Sequence, residues 1–147
     1  MKNIILVTHG DFAKGILSSL QLVMGDVPGV DYVSITAQET IAEIVAMIRE
    51  KKASYGNGRP TVIITDIAGG STTRAALEAA AAEPGIYVLT GLNLGLLLEV
   101  ALMEPGEDDT AIRSKLRTAV DHSKAMMYLV DSFSSDVLPA GSDDGEL

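Results

Sequence analysis

Residues 3–9 read Asn-Ile-Ile-Leu-Val-Thr-His, and at Gly10 this run breaks off into a helical pattern. The aliphatic stretch Ile4-Ile5-Leu6-Val7 has no alternation of apolar and polar positions. Successive side chains of a strand point to opposite faces, so an unalternated run must be covered on both sides, as in parallel sheets layered with helices. The break at His9-Gly10 predicts a strand, a tight turn and a helix. His9 then stands at the carboxyl end of a central strand, the edge at which open α/β sheets bind ligands. A histidine there also fits a merely structural, hydrogen-bonded residue, so its meaning depends on what the rest of the chain brings beside it.

After the turn, residues 11–25 form a first helix, with Phe12, Ile16, Leu20 and Val23 as the inward stripe, Gly25 as the stop and Asp11 as either the N-cap or a solvated residue. Residues 30–36 alternate apolar and polar, which predicts a half-buried edge strand. A second helix over 39–53 turns Ile41, Ile44, Val45 and Ile48 to one face, and the turn-forming cluster 54–60 follows. Residues 61–66 are a second unalternated strand ending in Asp66, and Gly69-Gly70-Ser71-Thr72 opens an alanine-rich helix over 71–83 that Pro84-Gly85 stops. A fourth strand covers 86–90, and residues 91–95 turn into an apolar helix reaching Met103. A loop over 104–108 leads to a last helix over 109–124, with Ile112, Leu116, Ala119 and Val120 inward. Residues 125–133 fit either more helix or a last strand, and the polar, acidic stretch 134–147 predicts a disordered tail.

Strands alternating with helices over short connections imply right-handed crossovers and an α/β, doubly wound, mainly parallel sheet with helices on both faces. The expected strand order is 2-1-3-4, with 125–133 as a candidate antiparallel edge strand. Residues 1–133 make one domain and 134–147 its tail. Strands one and three become neighbours, and the crevice between their carboxyl ends is the topological switch point. His9 ends the first of them and Asp66 the second.

Charge and cysteine usage narrow the functional classes. Twenty acidic against 11 basic residues give a net charge of −9, which disfavours nucleic acid as a partner. With no cysteine there is no disulfide, which suits a reducing cytoplasm. The residues ahead of the first strand are too few for a signal peptide, and no apolar run approaches the ~20 residues of a membrane span. A cytoplasmic protein is expected.

Across the switch point, Asp66 can accept a hydrogen bond from His9 Nδ1–H. That fixes the tautomer, leaves Nε2 as a nucleophile and balances the charge that develops on the ring. Gly69, Gly70, Ser71 and Thr72 open a helix, where bare amides and the helix dipole favour an anion and the Ser71 hydroxyl can donate. Taken alone, the glycine pair equally suits an ordinary strand-to-helix turn with Ser71 or Thr72 as N-cap. A nucleophilic histidine facing an anion cradle describes a phosphohistidine site. Neither a P-loop nor a dinucleotide fingerprint occurs. A metal site would have to draw on His9, Asp66 and Asp11 without metal-ligand spacing, so neither metal nor cofactor is expected. His122 reads as a surface histidine and Glu99 as part of a solvated face.

Three segments carry a family resemblance: Ile5-Leu6-Val7-Thr8-His9-Gly10, Thr65-Asp66-Ile67-Ala68-Gly69-Gly70-Ser71-Thr72 and Thr90-Gly91-Leu92-Asn93-Leu94. Together they resemble the IIA component of mannose-family sugar phosphotransferase systems (PTS) across about residues 1–130. The resemblance implies that His9 takes a phosphoryl group from the phosphocarrier HPr and passes it to a IIB partner, with Asp66 orienting the ring. It implies that Ser71 and the neighbouring amides hold the group. A separate IIB chain, an indirect link to the IIC/IID membrane complex, and a homodimer in which 125–133 is exchanged complete the implied picture.

Two positions depart from the family pattern, which usually has proline where Thr72 and Gly95 stand here. Threonine can cap a helix, so the anion cradle survives the first change, whereas glycine at 95 predicts a looser fourth turn around Asn93. Two other readings stand beside the relay: a phosphotransferase subunit of a dihydroxyacetone kinase, and a non-catalytic module that senses a phosphorylated ligand.

Overall fold

A computed structural model describes residues 1–131. The elements are β1 (Asn3–His9), α1 (Phe12–Met24), β2 (Val30–Ile35), α2 (Ile41–Tyr55), β3 (Thr61–Thr65), α3 (Ser71–Ala82), β4 (Ile86–Thr90), α4 (Leu94–Leu102) and α5 (Asp109–Ala125). The four strands are parallel and lie in the order β2-β1-β3-β4, the doubly wound arrangement expected.

The unalternated runs are the reason for this layering. Ile4 and Leu6 of β1 join Val62 and Ile64 of β3 in a core beneath α1, α4 and α5. Ile5, Val7 and Ile63 join the opposite core, closed by Ile44, Val45 and Ile48 of α2 and by Ala75, Ala76 and Ala79 of α3. The three alanines let α3 lie close to the sheet and bring its first turn to the strand ends. β2, at the sheet edge, buries only Val33 and Ile35, as its alternation predicts.

The phase of α1 differs from expectation. Ala13, Ile16 and Leu20 are buried, Leu17 and Met24 pack against the same core, and Phe12 and Val23 are nearly half exposed. At 3.6 residues per turn, a face centred on 13, 17, 20 and 24 leaves 12 and 23 roughly a quarter turn away. Asp11 does occupy the N-cap position, but its side chain makes no capping bond. The buried Thr8 hydroxyl supplies that bond instead, accepting from Ala13 N at 2.9 Å. This is possible because Gly10, at φ +58°, folds the chain back tightly.

α5 runs to Ala125, and residues 126–131 form neither helix nor strand. The candidate edge strand is therefore not part of this sheet among the described residues. Its last positions, 132–133, and the tail 134–147 lie outside them.

Candidate functional site

Val7 of β1 pairs with Thr65 of β3, so the chain leaves both strands side by side at the switch point. There His9 and Asp66 meet. Asp66 Oδ2 accepts from His9 Nδ1 at 2.8 Å and from the His9 backbone N–H at 2.8 Å. Asp66 Oδ1 accepts from Ile67 N at 3.0 Å and from Thr72 Oγ1 at 2.9 Å. Each carboxylate oxygen thus holds two donors. Burial pushes the Asp66 carboxyl up. The hydrogen bonds from the His9 amide, the His9 ring and Thr72, with the charge of the ring, outweigh it and hold the group below its ordinary value.

An ionised Asp66 makes Nδ1 the protonated ring nitrogen. The lone pair is then on Nε2, which has no bonding partner among the described residues. The His9 side chain is 47% exposed while that of Asp66 is 9% exposed. The imidazole thus presents an unengaged ring nitrogen toward solvent and is backed by a shielded carboxylate, an arrangement able to act as a nucleophile.

The second wall comes from the turn before α3. Gly69 takes φ +76°, and Gly70 N donates to Ile67 O at 3.3 Å. Gly70 is the N-cap of α3 and brings no side chain to the helix end. A Cβ built there would lie 3.8 Å from His9 Cε1, so the bare backbone faces the ring. The Ser71 hydroxyl has no partner among the described residues, and the first amides of α3 are uncapped by any side chain. That end of the helix favours an anion.

All the expected site residues fall around this crevice, but Thr72 differs in kind from Ser71. Thr72 is fully buried and its hydroxyl bonds to Asp66. Sequence reasoning missed that bond and also missed Thr73, whose hydroxyl donates to Ile67 O at 2.7 Å and lies 2.6 Å from Thr65 Oγ1, pinning the turn. No spacing rule signals which way two adjacent threonines will point once the turn has closed.

Asn93 is held more firmly than glycine at 95 led us to expect. Its Oδ1 accepts from Leu96 N at 2.9 Å and from Ser123 Oγ at 3.1 Å, and its Nδ2 donates to Gly91 O at 3.1 Å. A Cβ on Gly95 would lie 2.9 Å from the flexible Met126 Sδ and 3.2 Å from Asn93 Oδ1, so the glycine leaves Asn93 uncrowded. His122 is exposed, as expected, and pairs with Glu99 Oε2 at 3.2 Å, so Glu99 bridges α4 to α5 as well as facing solvent.

Comparison with known proteins gives the family and agrees with the fold. The EIIA-man family model, described as the PTS system fructose IIA component, matches residues 3–120. The sorbose-specific EIIA component of the PTS of Klebsiella pneumoniae is 36% identical over 100 residues, 68% of this chain and 73% of that protein. The crystal structure of PTS component EIIA from Streptococcus agalactiae covers 84% of this chain and 95% of its own, at a TM-score of 0.73 and 27% identity. The mannose/sorbose-specific IIA subunit from Enterococcus faecalis has the same fold, at a TM-score of 0.77 and 24% identity over 91% of this chain and 98% of its own. The chain belongs to the EIIA-man family and is a mannose-type IIA component of a sugar phosphotransferase system.

Proposed function

We propose that His9 relays a phosphoryl group, accepting it from the phosphocarrier HPr and delivering it to a separate IIB chain. The observation that carries this reading is the 2.8 Å bond from His9 Nδ1 to Asp66 Oδ2, made with Nε2 unengaged in a half-exposed ring. In the loading step the Nε2 lone pair attacks phosphorus, forming an N–P bond. The bond from phosphorus to the carrier's donor atom breaks, and its electron pair returns to the carrier. His9, left with Nδ1–H and an Nε2–P bond, takes on positive charge that Asp66 offsets. The group is a dianion, and Ser71 Oγ with the amides of Ser71 and Thr72, at the uncapped start of α3, are its donors. In unloading, a nucleophile of IIB bonds phosphorus, the His9 Nε2–P bond breaks, and its electron pair returns to Nε2.

Residues 1–133 are read as the functional unit, active as a homodimer. Met126, Met127, Tyr128, Leu129 and Val130 are all more than half exposed, which favours an exchanged segment that adds to a partner's sheet. Among the described residues no helix is long and apolar enough to cross a membrane, and the cytoplasm is the proposed location.

Incubation with the phosphorylated carrier followed by mass spectrometry under alkaline conditions tests the relay. One acid-labile phosphate is expected, and His9→Ala should abolish it. A sensing module would gain none. Onward transfer to IIB, and not to a dihydroxyacetone kinase, separates the remaining alternative, and the sorbose-specific and mannose/sorbose-specific relatives favour IIB.

A further inference from the structure

We infer that Thr72 is a positioning residue: its hydroxyl clamps the Asp66 carboxylate so that Oδ2 stays aligned with both the amide and the ring of His9. The inference rests on the relay reading for its kinetic consequence, though its structural content stands apart from it. Thr72 Oγ1 donates to Asp66 Oδ1 at 2.9 Å, and the residue has no exposed surface. A hydroxyl carries one proton, and here that proton is committed to the carboxylate. It is thus withheld from any incoming phosphoryl group, to which only the backbone of Thr72 is offered.

The geometry makes this bond more than a local tie. Rotation about the terminal torsion of an aspartate is broad, so an oxygen held on one side alone leaves the carboxylate free to swing. The other donor to Oδ1 is the amide of Ile67, the next residue in the same turn. Thr72 reaches instead from the first turn of α3, a helix packed through Ala75, Ala76 and Ala79 into the core. The carboxylate is therefore fastened to a rigid element. Thr73, one residue on, fastens the turn itself through Ile67 O. A proline at 72 would have no hydroxyl to give, so the clamp requires a hydroxyl residue at this position.

The experiment compares Thr72→Val, Thr72→Ser and Thr72→Pro in the full chain by NMR and by transfer kinetics. In Thr72→Val, which keeps the side-chain shape, the Asp66 carboxyl should titrate higher than in the wild type. Its His9 ring should lose part of its Nδ1–H tautomer, read from imidazole 15N shifts. Phosphoryl transfer should fall about tenfold with KM for the carrier unchanged. Thr72→Ser should restore all three readouts, and Thr72→Pro should behave as Thr72→Val. If circular dichroism shows that valine disturbs the fold, Thr72→Ala carries the same readouts. Wild-type carboxyl titration and tautomer ratio in the hydroxyl-free variants would overturn the assignment, as would failure of serine to restore them. A wild-type protein that never gains phosphate would end the relay reading instead, leaving the spectroscopic result to decide Thr72.

Discussion

Asp66 Oδ2 takes two donors from a single residue, the amide and the ring of His9, and this doubling sets the chemistry of the site. An amide in place of the carboxylate offers one acceptor oxygen and no charge. Asp66→Asn is therefore expected to fold normally but to transfer phosphate about 100-fold more slowly, measured by single-turnover kinetics with the phosphorylated carrier. The same carboxyl makes stability depend on acid. Its native pKa lies below the ordinary 3.8, so the stabilisation it gives is complete above that value and is lost as the pH falls through the native pKa. Urea unfolding across the acid range should show the wild type losing more stability below pH ~3.8 than Asp66→Asn does.

At the scale of elements, the unalternated runs made the sheet readable, because an all-aliphatic strand has one stable environment and β1 and β3 both found it. The phase of α1 was not readable in the same way. Phe12 fits the arithmetic of a stripe as well as Ala13 does, and only the tight turn at Gly10 decides which faces the sheet. Phe12→Ser should accordingly change stability by less than about 0.5 kcal/mol, whereas Ala13→Leu should cost about 1–3 kcal/mol by overpacking, both read by denaturant unfolding. Thr8 was hidden for a related reason: inside a strand pattern it reads as a β-branched core residue, yet its hydroxyl caps the next helix. Thr8→Val should cost about 1 kcal/mol in the same assay. His9, Asp66 and the glycine pair were legible because strand order alone brings them together. The partners of Thr72 and Thr73 depend on rotamers that no pattern encodes.

For the whole molecule, the apolar run 126–130 is exposed in the isolated chain, with Leu129 at 83% and Met127 at 71%. Surface of that kind is expected to be covered in solution by a second copy. Sedimentation of the intact chain should give a dimer, and removal of residues from 126 onward should give a monomer or an aggregating species while the His9–Asp66 pair is retained. A truncated chain that sediments as an unchanged dimer would assign the interface elsewhere.

The main-chain amide of His9, as well as its ring, tethers the carboxylate, and a main-chain tether is indifferent to what the imidazole carries. The counter-charge therefore waits in one place through both halves of the exchange. In the relay proposed for His9, a site so built would have no carboxylate to reposition between loading and unloading.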